Sequence, residues 1–340
     1  MISNLYIINN EKCANKEGKI FCQNLEIKLL GEDLMKFYDT NLILRDSKVN
    51  SIHEIKKAKI LLSSNIFSFL KNVFFASLKK NSKYLIISIT PYTFLSFIVL
   101  FLFRKEIFLY LRSSGEKEVK LILGKRFLFI YKIMEYFMVK YCEIICVNKE
   151  IVKNSEYKLV SPSSIDNSWL KNISTPNLEI EKLLYVGRFK VEKGIYFLTE
   201  IFSELKNIKN RAELTLVGHG NELSNLTKAI NIMSAVSEKN ELIKIYDDHN
   251  IIILPSYTEG HPRVLIESLA RKRPIIVFEE IKHVKKNYKG VFVSKRDVKN
   301  LSITVDNIMK NYKNIQREMD ENKLPTKDEF ILQLKNIIKS

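Results

Sequence analysis

Short runs of β-branched and aliphatic residues alternate with amphipathic segments along almost the whole chain. No other feature limits the fold as strongly. Runs at 4–9, 41–44, 59–62, 84–90, 106–112, 143–147 and 157–160 read as strands. After an interruption they resume at 182–187, 213–217, 229–233, 250–254, 274–278 and 290–293. Segments 194–207, 261–272 and 297–312 have helical periodicity. Strand and helix in alternation predict an α/β fold with parallel sheets. Two series in 340 residues predict two Rossmann-like domains, in line with about 150 residues per domain.

The interruption lies between Ser161 and Ile180, where Pro, Ser and Asn cluster without periodicity. It predicts a first domain over 1–166, a linker over 167–180 and a second domain over 181–325. Leu324-Pro325 breaks the second domain from a last amphipathic helix over 326–340, with Phe330, Leu332, Leu334, Ile337 and Ile338 on its apolar face. That helix is expected to pack back onto the first domain.

From Tyr84 to Phe103 the chain carries no charge, about the length a membrane-spanning helix needs. Pro91 divides the stretch. Tyr84–Thr90 is short and β-branched, and Tyr92–Phe103 is helix-like, which favours strand then helix over a span. The opening residues lack the basic start of a signal peptide and read as a first buried strand.

A composition of 46% hydrophobic and 27% charged residues excludes a disordered chain or a collagen-like fibre. The net charge of +17 favours anionic partners: nucleic acid, nucleotide phosphate or an acidic membrane face. The bland alternative is lysine spread over solvated surfaces. The apolar stretches Phe94–Phe103 and Phe127–Val139 would suit a membrane face, or equally core helices. Four cysteines without a Cys-x-x-Cys pair and five scattered histidines predict no metal site. Cys142 and Cys146, in an apolar run, read as buried thiols in a reducing cytoplasm.

Three segments of the second half carry candidate chemistry. In Val186-Gly187-Arg188…Lys193-Gly194 a strand turns into a helix with two cations at the turn. Cations beside a helix N-terminus suit a pyrophosphate, although basic loops are common in so basic a chain. Val217-Gly218-His219-Gly220 could let a ligand approach the main chain, or serve only a turn. Leu254-Pro255-Ser256…Glu259-Gly260-His261-Pro262…Glu267 places Glu259 in a loop at a strand's carboxyl edge and Glu267 on the following helix. Two carboxylates lining one crevice can bind sugar hydroxyls and stabilise a cationic transition state, whereas Glu267 alone could be a solvated helix face.

In this order the three segments resemble retaining GT-B glycosyltransferases, the group 1 family (family 4), over about residues 182–306. The resemblance implies GT-B architecture, two Rossmann-like domains with parallel sheets facing a central cleft. It implies transfer of a sugar from a nucleotide-sugar, a UDP- or GDP-sugar, with retention of configuration. The resemblance also implies that the transfer would need no metal and no cofactor. Arg188 and Lys193 would hold the diphosphate, Glu259 would contact the transferred sugar and Glu267 the ribose. Gly187, Gly218 and Gly220 would line the donor site, with the base near Met233 and Ser234. The loop comprising Gly260, His261, Arg263 and Val264 would contact sugar and phosphate, although Pro262 there has no N–H to offer.

The first domain departs from the family pattern. Only Glu17-Gly18-Lys19 could stand in for a glycine-rich loop, so Gly18 is a candidate on the acceptor side. Arg112 or Ser113 would replace a histidine usual after a middle strand. In the second domain, the family's Ala-x-Gly-x-Pro reads Ala270-Arg-Lys-Arg-Pro274. The implied acceptor is a lipid-linked or lipopolysaccharide-type glycan in bacterial surface polysaccharide synthesis. The enzyme would be cytoplasmic, with possible peripheral contact with an anionic membrane. A non-catalytic sugar-nucleotide-binding partner of another transferase is the alternative. A nucleic-acid-binding protein is a weaker one, since no such motif accompanies the charge.

Overall fold

The computed structural model describes residues 3–339 apart from 50, 153–154, 221–222 and 224–227. It divides into two compact units. One comprises the chain through Pro162 and from Asp328 onward, and the other is Ser163–Lys327.

The first unit contains, in order, β1 (Asn4–Lys16), β2 (Lys19–Cys22), α1 (Leu25–Asp33), β3 (Asp39–Asp46), β4 (His53–Ile55), β5 (Lys59–Ser63), α2 (Ile66–Ser77), β6 (Ser82–Ile87), α3 (Pro91–Leu102), β7 (Ile107–Leu111), α4 (Gly115–Ile122), α5 (Leu128–Tyr141), β8 (Glu143–Cys146) and β9 (Lys158–Leu159). Parallel pairing runs β5-β3-β1-β6-β7-β8-β9. Side chains alternate across each strand, so Leu5 and Ile7 of β1 face one core layer while Tyr6 and Ile8 face the other. Helix α1 covers the first layer, and α2, α3 and α5 cover the second. The chain's last helix covers the same layer as α1, through Phe330, Ile331, Leu334 and Ile338.

The expected strands match this series, but β2 and β4 had no counterpart among them. Strand β1 continues beyond its parallel partners and pairs antiparallel with β2, which pairs with β4. These strands of four and three residues are too short to show a period. Pro91 sits at the first position of α3, whose N-cap Thr90 accepts from the Thr93 N–H. A proline there costs no helical hydrogen bond, so it starts the helix. Among the described residues no helix is long and apolar enough to cross a membrane.

The second unit contains α6 (Asn167–Leu170), β10 (Glu181–Val186), α7 (Ile195–Ile208), β11 (Ala212–Gly218), β12 (Ile230–Ser234), α8 (Lys239–Asp247), β13 (Ile251–Leu254), α9 (Arg263–Ala270), β14 (Ile275–Phe278), β15 (Val291–Ser294), α10 (Val298–Lys310) and α11 (Tyr312–Glu318). The last helix of the chain, noted above, is α12 (Lys327–Lys339). The second sheet has the order β12-β11-β10-β13-β14-β15, parallel throughout.

The stretch 167–180, read from sequence as a linker, is instead built into this unit. Trp169 is buried in its core. The buried Arg271 guanidinium donates to the carbonyls of Trp169, Lys171 and Asn172. Arg273 donates to the Ser174 carbonyl, and Asp247 pairs with both arginines. Both arginines fall at unspecified positions of the Ala-x-Gly-x-Pro pattern, so in Ala270–Pro274 only Lys272 departs from it. Between them Lys272 takes φ +51°, a left-handed conformation at the position where the pattern has glycine.

Candidate functional site

Strands β10, β11 and β13 are parallel neighbours, so the loops that follow them leave from one edge of the sheet. The first two loops are stitched together. The Gly187 N–H donates to the Val217 carbonyl at 2.9 Å, and the Phe189 N–H to the His219 carbonyl at 2.8 Å. A Cβ on Gly218 would lie 1.8 Å from the Gly187 carbonyl oxygen, and one on Gly220 2.3 Å from that of Phe189. The Gly-x-Gly pair is therefore required by the adjoining loop, and the space beside both glycines is filled by protein main chain. Gly187 itself faces the Tyr185 ring, whose hydroxyl donates to the Arg188 carbonyl at 2.7 Å.

The first loop is joined to the third as well. Gly194 has φ +67°, and a Cβ there would fall 2.0 Å from the Pro255 carbonyl oxygen. The Tyr257 N–H donates to the Glu192 carbonyl. Across this junction the Lys193 ammonium meets Glu259 Oε1 at 2.6 Å, and the Ser256 hydroxyl donates to the same oxygen at 2.7 Å. The His283 Nε2–H donates to the Glu259 carbonyl at 2.8 Å. Arg296 lies against the rings of Phe197, Tyr257 and Phe278 and donates to the Pro255 carbonyl at 3.0 Å. Glu259 is thus held by its side chain, its backbone and the loop that precedes it.

Arg188 is half-buried, and among the described residues its guanidinium has no hydrogen-bond or ion-pair partner. His219 is also half-buried, with neither ring nitrogen hydrogen-bonded among the described residues. Burial first, and then Arg188 and Lys190, push its pKa down, which keeps the ring neutral. The Tyr185 phenol is pushed up by burial first, then by Glu259, while Arg188 opposes. A half-buried cation without a counter-ion, beside a neutral imidazole, leaves donors open to an anion.

Glu267 is only 2% exposed. Its Oε2 accepts from the Tyr246 hydroxyl at 2.9 Å, and its Oε1 from Ser164 at 3.2 Å and Arg263 at 2.9 Å. The solvated helix face considered from sequence is excluded, because the α9 face that carries it is buried. Its partners differ from those of Glu259. Burial foremost, with Glu267 adding to it, pushes the Tyr246 phenol well up.

The remaining candidates of this unit lie close by in the fold. Met233 and Ser234 end β12, in register with Val217 and Gly218. Gly260 is buried, His261 is half-buried, and Arg263 and Val264 open α9.

The first unit's candidates fare differently. Gly18 is not part of a loop between strand and helix. It forms, with Glu17, the two-residue turn of the β1–β2 hairpin, at φ +80° and +52°. The twist of a hairpin demands such angles. Where α1 begins, the Glu11 carboxylate already accepts the N–H groups of Gln23 and Asn24. Arg112 donates to Glu26 Oε2 at 3.3 Å, and Glu26 Oε1 accepts from the buried Tyr110 hydroxyl at 2.7 Å. The Ser113 hydroxyl donates to Glu118.

Sequence reasoning passed over Ser256, His283, Arg296, Tyr246, Ser164 and His219 as site residues. Only His219 and Ser256 lie inside quoted motifs. The others come from distant segments and join the site through tertiary contact alone.

Residues 180–311 match the family described as "Glycosyl transferases group 1". Among curated proteins, the chain is similar to a putative teichuronic acid biosynthesis glycosyltransferase, TuaC, of Bacillus subtilis. The two are 32% identical over 31% of this chain and 26% of the relative. It is also similar to N,N'-diacetylbacillosaminyl-diphospho-undecaprenol alpha-1,3-N-acetylgalactosaminyltransferase of Campylobacter jejuni, 24% identical over 50% of this chain and 46% of that protein. The matches therefore span less than half of each relative. Among solved structures, HepE of Anabaena in complex with UDP and glucose aligns with a TM-score of 0.70 at 10% identity. The alignment covers 99% of this chain and 100% of HepE. The fold is GT-B, with two Rossmann-like units built on parallel sheets.

Proposed function

We propose, from the match of residues 180–311 to the glycosyl transferases group 1 family, that this chain moves a sugar from a nucleotide-sugar to a glycan or lipid-linked acceptor, with retention. The observation that carries the reading is the junction of Lys193 with Glu259 at the turn that also carries Arg188, whose guanidinium has no partner among the described residues. A diphosphate brings two or more negative charges. Arg188 is open to it, and the flexible Lys193 ammonium has donors beyond the one that Glu259 takes. In this reading the two cations neutralise the leaving diphosphate in the role a metal ion would otherwise have. Glu259 then lies beside the transferred sugar, and positive charge developing on the sugar ring is stabilised by its carboxylate. Glu267 faces the ribose with its remaining lone pairs, and the base lies near Met233 and Ser234.

The acceptor in this reading is a lipid-linked intermediate of bacterial surface polysaccharide, handled at the cytoplasmic membrane face. The named lipid-linked substrate of the Campylobacter relative supports that class, and the UDP bound to HepE supports a uridine donor. The test is a thermal-shift screen with UDP-, GDP-, ADP- and CMP-sugars, followed by transfer assays with the stabilising donor in the presence of EDTA. A ligand at about 100 times its Kd stabilises by ~2.7 kcal/mol, a readily measured shift. Stabilisation by no nucleotide sugar would remove the donor-site reading. Transfer abolished by EDTA and restored by a divalent ion would remove the assignment of the charge to Arg188 and Lys193.

A further inference from the structure

A helix layer that covers a sheet ordinarily turns polar residues outward, because only its inner stripe is buried. The layer formed by α2, α3 and α5 on the first unit does the reverse. Phe67 is 82% exposed, Leu102 72%, Phe129 71% and Tyr136 60%. Packing makes this one field: α3 lies against both α2 and α5, and α5 against α4, which exposes Leu121, Ile122 and Leu123. Exposed rings meet across the helices, Phe74 with Phe103 at 5.5 Å and Phe101 with Tyr141 at 4.9 Å. Single exposed apolar residues are ordinary, but a contiguous field marks an interaction surface.

Charge identifies the occupant. From Ser64 to Tyr141 the chain has 13 Lys and Arg against four Glu and no Asp. Exposed basic residues stand at both ends of the layer: Lys79 and Lys80 after α2, Arg104 after α3, Lys125 and Arg126 before α5. Tyr136 and Tyr141, rings with a polar tip, flank Lys140. A second copy seated on this face would bring two basic rims together. An anionic bilayer takes both features at once, the apolar side chains among its acyl chains and the cations among its phosphates.

We propose that the outer face of α2–α5 is a docking surface that seats the chain on anionic lipid, with Phe67, Leu102 and Phe129 inserted and the basic residues at headgroup level. Preferring a membrane to other occupants rests in part on the lipid-linked acceptor proposed above. With no helix among the described residues able to cross a bilayer, attachment is to one leaflet. At 12 residues α3 also stops short of the ~20 residues a span requires.

The experiment is flotation of the full chain with vesicles of phosphatidylcholine alone or mixed with phosphatidylglycerol. Recovery is expected with phosphatidylglycerol only. It should fall by roughly tenfold or more in a Phe67→Ser/Leu102→Ser/Phe129→Ser variant, which removes buried apolar area from the bound state. A Lys125→Gln/Arg126→Gln variant should lose binding at lower salt than the parent chain. Unchanged thermal melts would show that both variants fold, since none of these side chains belongs to the core. No recovery with phosphatidylglycerol at low salt overturns the proposal. So does a concentration-dependent dimer of the parent chain that the triple variant abolishes. Nucleotide-sugar binding, measured without vesicles, separates failure of this surface from failure of the transferase reading.

Discussion

Lys193 and Glu259 stand 66 residues apart in the chain, yet the ammonium of one meets the carboxylate of the other at 2.6 Å. One side chain comes from the turn after β10 and the other from the loop after β13. Their contact makes two separately quoted motifs into one site.

Arg188→Ala should weaken binding of the cognate nucleoside diphosphate by about 1.5–3 kcal/mol, the loss of one charge-assisted hydrogen bond. Lys193→Ala should do the same and also lower stability, because it leaves Glu259 only 12% exposed with its ammonium partner removed. Isothermal titration and thermal melts separate the two effects. Equal affinity in both variants and the parent would eliminate the phosphate site.

Glu259→Gln and Glu267→Gln should fail in different ways. If Glu259 acts mainly in the transition state, its amide should lower kcat and leave donor binding nearly intact. Glu267 accepts from three donors. An amide there sets an NH2 against one of them, so we expect a raised donor KM together with a loss of ~1–3 kcal/mol in stability. Steady-state kinetics and denaturant unfolding decide. Full turnover in Glu259→Gln would end its catalytic assignment.

Gly194→Ala should be among the most damaging single changes. The left-handed backbone disfavours any side chain, and the added carbon would fall 2.0 Å from the Pro255 carbonyl oxygen. Movement of that loop would displace Glu259. A fall of several °C in Tm with loss of nucleotide binding is expected, and an unaltered melt would refute the close approach.

Lys272→Gly should stabilise the fold by roughly 0.5–1 kcal/mol. It relieves φ +51° at the cost of glycine's extra entropy in the unfolded chain and of an exposed ion pair with Asp320. Urea unfolding of the two proteins gives the difference, and a clear loss of stability would show that the ion pair outweighs the strain.

His249 gives stability a pH dependence. Its Nδ1–H donates to the Ile245 carbonyl, so its Nε2 accepts from the Thr215 hydroxyl, and the ring is buried neutral. Burial foremost pushes its pKa below the ordinary value. Below about pH 6.5 the unfolded chain takes up a proton that the fold does not. The contribution is therefore full above that pH and is lost as pH falls through it. Melts from pH 8 to 5 should show a slope that His249→Asn reduces. Equal slopes would assign the acid sensitivity elsewhere.

Much of this was legible in the sequence where the signal is local. Two series of apolar runs specified two parallel α/β sheets, because buried strands must be apolar and the helices between them amphipathic. Pro91 and the Thr90 cap act through neighbouring backbone, so they too can be read from the chain. The same local logic failed for 167–180. That stretch has no periodicity of its own and is ordered by Arg271 and Arg273, about a hundred residues away.

The order of the longer strands and helices, the motif residues and the net charge are properties carried by each residue and its near neighbours, so the chain shows them before it folds. Tertiary structure alone decided that Gly218 and Gly220 face another loop, that Glu267 is enclosed, and that Lys193 meets Glu259. It also decided that Phe94–Phe103 and Phe127–Val139, readable as core helices, expose much of their apolar surface. Periodicity records which residues could be buried. Burial itself depends on what packs against each face, and that is set by segments far away in the chain.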